Sequence, residues 1–187
     1  MPDLTEYSGD YDPSIRYQDF SKDVLADLLN AYCRELLLFD GLWFDEVRER
    51  CGEEAAFACE VAAWVKIARY EMKWAADALK IKGDSLVDFV KIMQFGGSYA
   101  LGLYDYSYDF DGPNHCILTV TRCPIVTRAE KTGDVTRMKQ VCEKLEPPAF
   151  VAYTQVVNPK IKTRPLKLPP RESQDAPCCV WEFVLEE

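Results

Sequence analysis

Five cysteines lie in the C-terminal half of this chain, Cys116, Cys123, Cys142, Cys178 and Cys179, and they are the first side chains to weigh for chemistry. No two form a C-x-x-C pair, so the usual zinc-knuckle spacing is absent and any site must be assembled from distant positions. Cys123 precedes Pro124 in a loop, Cys142 falls in a helical stretch and Cys179 begins a strand. Strand side chains alternate faces, so only one of Cys178 and Cys179 can join an inward site. Cys179 shares its face with Trp181, Phe183 and Leu185 and is the better candidate. Three roles follow for Cys123, Cys142 and Cys179: metal ligands, a catalytic centre with Cys123 as nucleophile, or small core residues, since free cysteine is among the most buried types. A nucleophilic thiol needs a lowered pKa, which Arg122 or Arg128 could supply. The lone histidine, His115, could serve only as the base of a Cys–His pair with Cys123.

Other side chains suit ligand binding. Arg128 lies one helical turn past the loop at Cys123, where its planar fork could hold a carboxylate. Tyr104, Tyr106, Tyr108 and Phe110 alternate with polar residues and present an aromatic face. Trp64 and Trp181 could complete an apolar wall. The run Gly96-Gly97-Ser98-Tyr99-Ala100-Leu101-Gly102 lacks the Lys-Ser/Thr ending of a phosphate loop and reads as a link from helix to strand.

The whole-chain balance limits the partners. The net charge is −9 and the pI about 4.8. Phosphate binding needs clustered Lys and Arg, so neither nucleic acid nor an anionic membrane is expected as the main partner. The start of the chain has neither a positive n-region nor an apolar h-region, and apolar runs are broken by charges. With eight cysteines in a chain well supplied with core, reduced thiols and a cytoplasmic setting are expected.

These residues must be positioned by two kinds of element. Residues 1–16 read as an arm, 17–97 as a helical part and 98–187 as a mixed part, together one compact unit. After Ser21, the residues Val24, Leu25, Leu28, Leu29, Tyr32, Leu36 and Phe39 recur at helical steps. Asp40-Gly41 predicts a break, with a shorter helix over 42–51. Residues 53–80 carry the strongest helical signal, with Phe57, Val61, Trp64, Val65, Ala68 and Met72 on one face. Gly83-Asp84-Ser85 caps a further helix over 86–95. Period-two alternation then predicts strands near 104–110 and 116–121, helix over 124–157 with a break near Pro147-Pro148, and strands over 158–167 and 179–185. Helices first and strands later argue an α+β fold, with about four helices packed on an antiparallel sheet that carries one or two inserted helices.

Several short pieces in this order, Leu42-Trp43-Phe44, Gly52-Glu53-Glu54-Ala55, Cys123-Pro124 with Arg128 and Gly133, Cys142-Glu143, Asn158-Pro159-Lys160-Ile161, Leu168-Pro169-Pro170 and Cys179-Val180-Trp181-Glu182-Phe183, span about three quarters of the chain. They resemble uncharacterised domains related to the L-2-amino-thiazoline-4-carboxylic acid hydrolase-like proteins and, more distantly, ligand-binding domains of the vinyl-reductase type. The first resemblance implies hydrolase chemistry in one branch. The second implies a pocket for a small, largely apolar molecule between helices and sheet. The family often has cysteine where this chain has Leu168, so a metal set would be incomplete here.

The leading expectation is a small-molecule-binding domain. Its pocket would lie between the helix over 53–80 and the sheet, lined by Trp64, Tyr104, Tyr106 and Trp181, with Arg128 at the mouth. The alternatives are a hydrolase using Cys123 and His115, or a metal-binding protein using Cys123, Cys142 and Cys179. No cofactor is specified, and a homodimer is compatible with the sequence.

Overall fold

A computed structural model of the chain describes residues 3–99 and 102–186. Two long helices open the fold. Helix α1 spans Lys22–Cys51, and the Ser21 side chain caps it by accepting from the Val24 amide. It runs through Asp40-Gly41 without the expected break, so the short helix over 42–51 is its last third. One interior glycine costs about 1 kcal/mol of helix propensity, which packing along a thirty-residue helix outweighs. Gly52 alone joins α1 to α2, Glu53–Leu79. Its φ of +87° lies in the region that favours glycine, and it reverses the chain without a longer loop. Helix α3, Leu86–Met93, opens on a reciprocal cap between Ser85 and Asp88.

Strands β1, Asp105–Phe110, and β2, His115–Arg122, form the predicted hairpin. Helices α4, Pro124–Thr132, and α5, Val135–Gln140, follow. A single π turn, Val141–Leu145, then leads into α6, Glu146–Val157. Pro147 and Pro148 do not break the chain here. They sit in the first turn of α6, where amide donors have no helical partner to lose. Strands β3, Ile161–Lys167, and β4, Cys179–Leu185, complete an antiparallel sheet of order β1-β2-β4-β3. The fold is α+β, as expected.

The inner face of the sheet and α6 build the core. Leu118 pairs with Trp181 and Cys116 with Phe183 across β2 and β4, and all four are buried. Phe150 of α6 lies 4.4 Å from the Trp181 ring and 5.7 Å from Phe183, and Phe89 of α3 lies 5.0 Å from Phe183. A large ring withdraws about 150–250 Å² from water, worth roughly 4–6 kcal/mol of transfer free energy before ordering costs are subtracted. Helix α2 packs on both α1 and α6 and so links the helical layer to the sheet layer. Among the described residues no helix is long and apolar enough to cross a membrane.

Candidate functional site

A cavity of about 290 Å³ lies among α1, α2, α4, α5 and α6. It is walled by helices, whereas the expected pocket lay between α2 and the sheet. Tyr104, just before β1, is the sheet's nearest contribution. Trp64 and Arg128 line the cavity as expected. Two expected wall residues do not. Trp181 is turned into the core and borders a second, much smaller space of about 30 Å³. Tyr106 packs edge-on against Tyr108 at 5.6 Å and borders neither space.

The cavity wall carries an ion pair that the sequence reading missed, buried at its carboxylate and half-buried at its arginine. Glu60 of α2 is 1% exposed and is ion-paired with Arg137 of α5. The Arg137 guanidinium lies over Phe44 of α1, its Cζ 3.6 Å from the ring centroid, with the Phe57 centroid at 5.9 Å. Asp134 caps α5 by accepting from the Arg137 amide at 3.0 Å and fixes the start of that helix. Even so the pair is incompletely satisfied. Glu60 Oε2 and Arg137 Nη1 have no hydrogen-bond partner among the described residues. Burial raises the Glu60 carboxyl above its ordinary value, and the bond to Arg137 only partly offsets that. Asp40 of α1 accepts from the Trp64 indole nitrogen at 2.9 Å, and burial likewise raises its carboxyl against the pull of Trp64 and Arg137. Arg128 is exposed at the cavity edge, beside Gly41.

Ser98 and Tyr153 also line the cavity and are tied to Glu71 of α2. The carboxylate accepts from the Ser98 amide at 2.6 Å, from Ser98 Oγ at 2.8 and 2.9 Å and from the Tyr153 hydroxyl at 2.9 Å. Here the glycine run has its explanation. A Cβ at Gly96 would sit 2.9 Å from Glu71 Oε1, so a side chain there would push the carboxylate aside. The Ser98 amide is occupied by a protein carboxylate, which excludes the phosphate-loop role for the described part of the run. Ala100 and Leu101 lie outside the described residues.

The thiols converge as expected but not on reactive chemistry. Cys123, Cys142 and Cys179 border the same small space, together with Glu146 and Trp181. Burial pushes Cys123 up to about 12, and Cys142 and Cys179 are raised further still. Glu146 and the neighbouring thiols push the same way. Arg122 points elsewhere and is paired with Asp105 at 2.7 and 2.9 Å. Arg128 belongs to the larger cavity. Cys123 thus lacks the cation that a nucleophilic thiol requires. His115 cannot act as its base: it sits at the far end of β2, with Nε2 3.1 Å from Glu182 Oε1, and eight strand steps put it roughly 26 Å from Cys123. Among the described residues no group of three His, Cys, Asp or Glu side chains is disposed to hold a metal ion. Cys123, Cys142 and Cys179, the expected ligand set, line a small space inside the fold. Cys178 does not border that space, and its Sγ donates to the Thr121 carbonyl at 3.3 Å.

A model of a protein family of unknown function matches residues 18–185, which take in every helix and strand from α1 to β4. The chain belongs to DUF6125. No curated protein and no solved structure matches it, so the resemblance to the thiazoline-carboxylate hydrolase-like and vinyl-reductase-type proteins gains no support there. Both cavities of this DUF6125 chain fall inside the matched region. Its missed ion pair had one readable sign. Ala56, Glu60, Trp64, Ala68 and Met72 form a single i, i+4 row on α2, and a carboxylate in a row otherwise apolar must be buried with a partner. Nothing comparable marked Arg137, which in sequence looks like any other solvated arginine of the C-terminal half.

Proposed function

We propose that this DUF6125 chain binds a small organic carboxylate in the helix-walled cavity. The observation that carries the reading is the unpartnered Nη1 of Arg137 beside the unpartnered Oε2 of Glu60, both on side chains that line the space. A buried donor left unmade costs about 1–3 kcal/mol, and more when charged. A ligand carboxylate would relieve that cost at Arg137, with the fork of Arg128 as a second anchor at the edge. A ligand group that donates a hydrogen bond would satisfy Glu60. Phe44, Trp64 and Leu37 offer apolar surface for the rest of the molecule. The volume suits a compound of metabolite size. Eight free thiols are in keeping with work in a reducing, cytoplasmic setting. The sequence resemblance would point to the same class, since it includes proteins named for a small cyclic carboxylic acid, but the ligand class here rests on the arginines.

Thermal unfolding with benzoate, phenylacetate and pyroglutamate, each against its uncharged amide, tests the proposal. At a hundred times the dissociation constant a bound ligand adds about 2.7 kcal/mol, or roughly 5–11 °C for a domain of this size. At least one carboxylate should raise the midpoint while its amide does not, and Arg128→Ala should abolish the rise without lowering the unliganded midpoint. Equal responses to acid and amide, or none to any acid together with native mass spectra free of a co-purifying compound, would overturn it.

A further inference from the structure

Helix α1 carries a second surface that the monomer leaves unused. Leu25, Leu29, Tyr32, Leu36, Phe39 and Trp43 follow one another at steps of four, three, four, three and four. Such spacing draws a single stripe along a helix and has the 3.5-residue period of helices that pack on one another. In sequence the stripe reads as the core face of the helix. In the structure it is largely in solvent: Leu29 is 64% exposed, Tyr32 48%, Leu36 37% and Phe39 65%, with Leu42 beside them at 57%. The core instead receives Phe44 and Leu37 from a different side of α1. Tyr17 adds to the upper end of the stripe, its hydroxyl 3.3 Å from that of Tyr32.

We infer that this stripe is a dimer interface, covered by α1 of a second copy packed across a two-fold axis. The period calls for a helix as occupant. A symmetric pair supplies one, because the same stripe then lies on both sides of the contact. The area agrees. With about 150–250 Å² for a fully exposed ring and somewhat less for leucine, these side chains offer roughly 600 Å² per copy. That is at the top of the range for the largest apolar patch on a monomer. Two copies would bury about 1,200 Å² from these residues alone, the lower bound for a stable specific interface. The net charge of −9 argues against an anionic membrane as the alternative cover. The inference is independent of the ligand reading, since the α1 residues that line the cavity are Leu37, Asp40, Gly41, Phe44, Asp45 and Arg48, not those of the stripe.

Sedimentation velocity on the full chain tests it. The wild type should run at twice 21.4 kDa. The double variant Leu29→Glu/Phe39→Glu should run as a monomer with an unchanged circular dichroism spectrum, its dissociation constant raised at least about a hundredfold. Both positions are mostly exposed in the single copy, so the variant keeps its core. Should it fail to fold, hydroxyl-radical labelling of the wild type gives the same information, with Tyr32 and Phe39 labelled less at high than at low protein concentration. A wild type that stays monomeric at every concentration would overturn the inference, whether or not some other protein binds the stripe. So would a dimer indifferent to the double variant, or labelling of Tyr32 and Phe39 that does not change with concentration.

Discussion

Replacing Arg137 with methionine keeps much of the side chain's stem but removes its charge from above Phe44 and from beside Glu60. The remaining carboxylate is 1% exposed and has lost its ion-pair partner. Breaking a buried pair by removing one member costs about 3–5 kcal/mol, which lowers the melting midpoint of a domain this size by roughly 6–20 °C. The loss should depend on pH, and the sign follows from Glu60. Its carboxyl already titrates above the ordinary 4.5 because burial outweighs Arg137. Without Arg137 it must rise further. A raised carboxyl means that the folded state holds more protons than the unfolded one between the unfolded and folded pKa. Stability therefore falls as pH rises through that window and returns as pH falls. Each unit of the window is worth about 1.4 kcal/mol, so between pH 7.5 and 5.5 the penalty should shrink by up to about 3 kcal/mol. Adding Glu60→Gln to Arg137→Met should restore most of the stability at neutral pH and flatten the profile. Urea titrations at the two pH values measure all of this. A penalty under about 1 kcal/mol, or one that is the same at both pH values, would show that water screens the pair and that the cavity wall is not as enclosed as the structure has it.

Native alkylation with iodoacetamide at pH 8 should modify the exposed Cys51 and Cys59 first, and peptide mapping should find Cys123 untouched until the protein is unfolded. A thiol at about 12 is thiolate in only about one molecule in ten thousand at pH 8; rapid native labelling of Cys123 would restore it as a candidate nucleophile. Gly96→Ala should cost about 1–2 kcal/mol by pushing Glu71 away from Ser98 and Tyr153. An unchanged midpoint would mean that the loop can shift without losing those bonds.

The strands and the long central helix were readable because their periods are local. Alternation from Tyr104 to Phe110 needs only a pleated chain, and the apolar face of α2 needs only a helix with one side covered. The capping residues Ser21 and Ser85 acted as their chemistry predicts. Asp40-Gly41 and Pro147-Pro148 misled for a shared reason. Each is a local penalty of limited size, and its outcome depends on neighbours distant in sequence. The site was harder. That Cys123, Cys142 and Cys179 border one space was an assumption of the sequence reading, since no local pattern links a loop, a helix and a strand so far apart in the chain. Their protonation was not legible either, because it is set by the burial that α6 and the sheet impose. Arg128 was found by its place after a loop. Arg137 gained its importance only from Phe44 and Glu60, which come from helices far earlier in the chain. The apolar side of α1 was identified correctly as apolar, but sequence alone could not say which way it faces.

The strand order has a consequence for how the chain reaches this structure. β3 is bonded only to β4, although eleven residues of connecting chain, 168–178, separate the two. Without β4 in place, β2 would present a bare edge and β3 would have no strand partner. Docking of β4 therefore completes two ladders and closes Trp181 and Phe183 under α6. Any lesion that delays it, such as a charge introduced at Val180 or Val184, would leave two unpaired edges open to other chains at once.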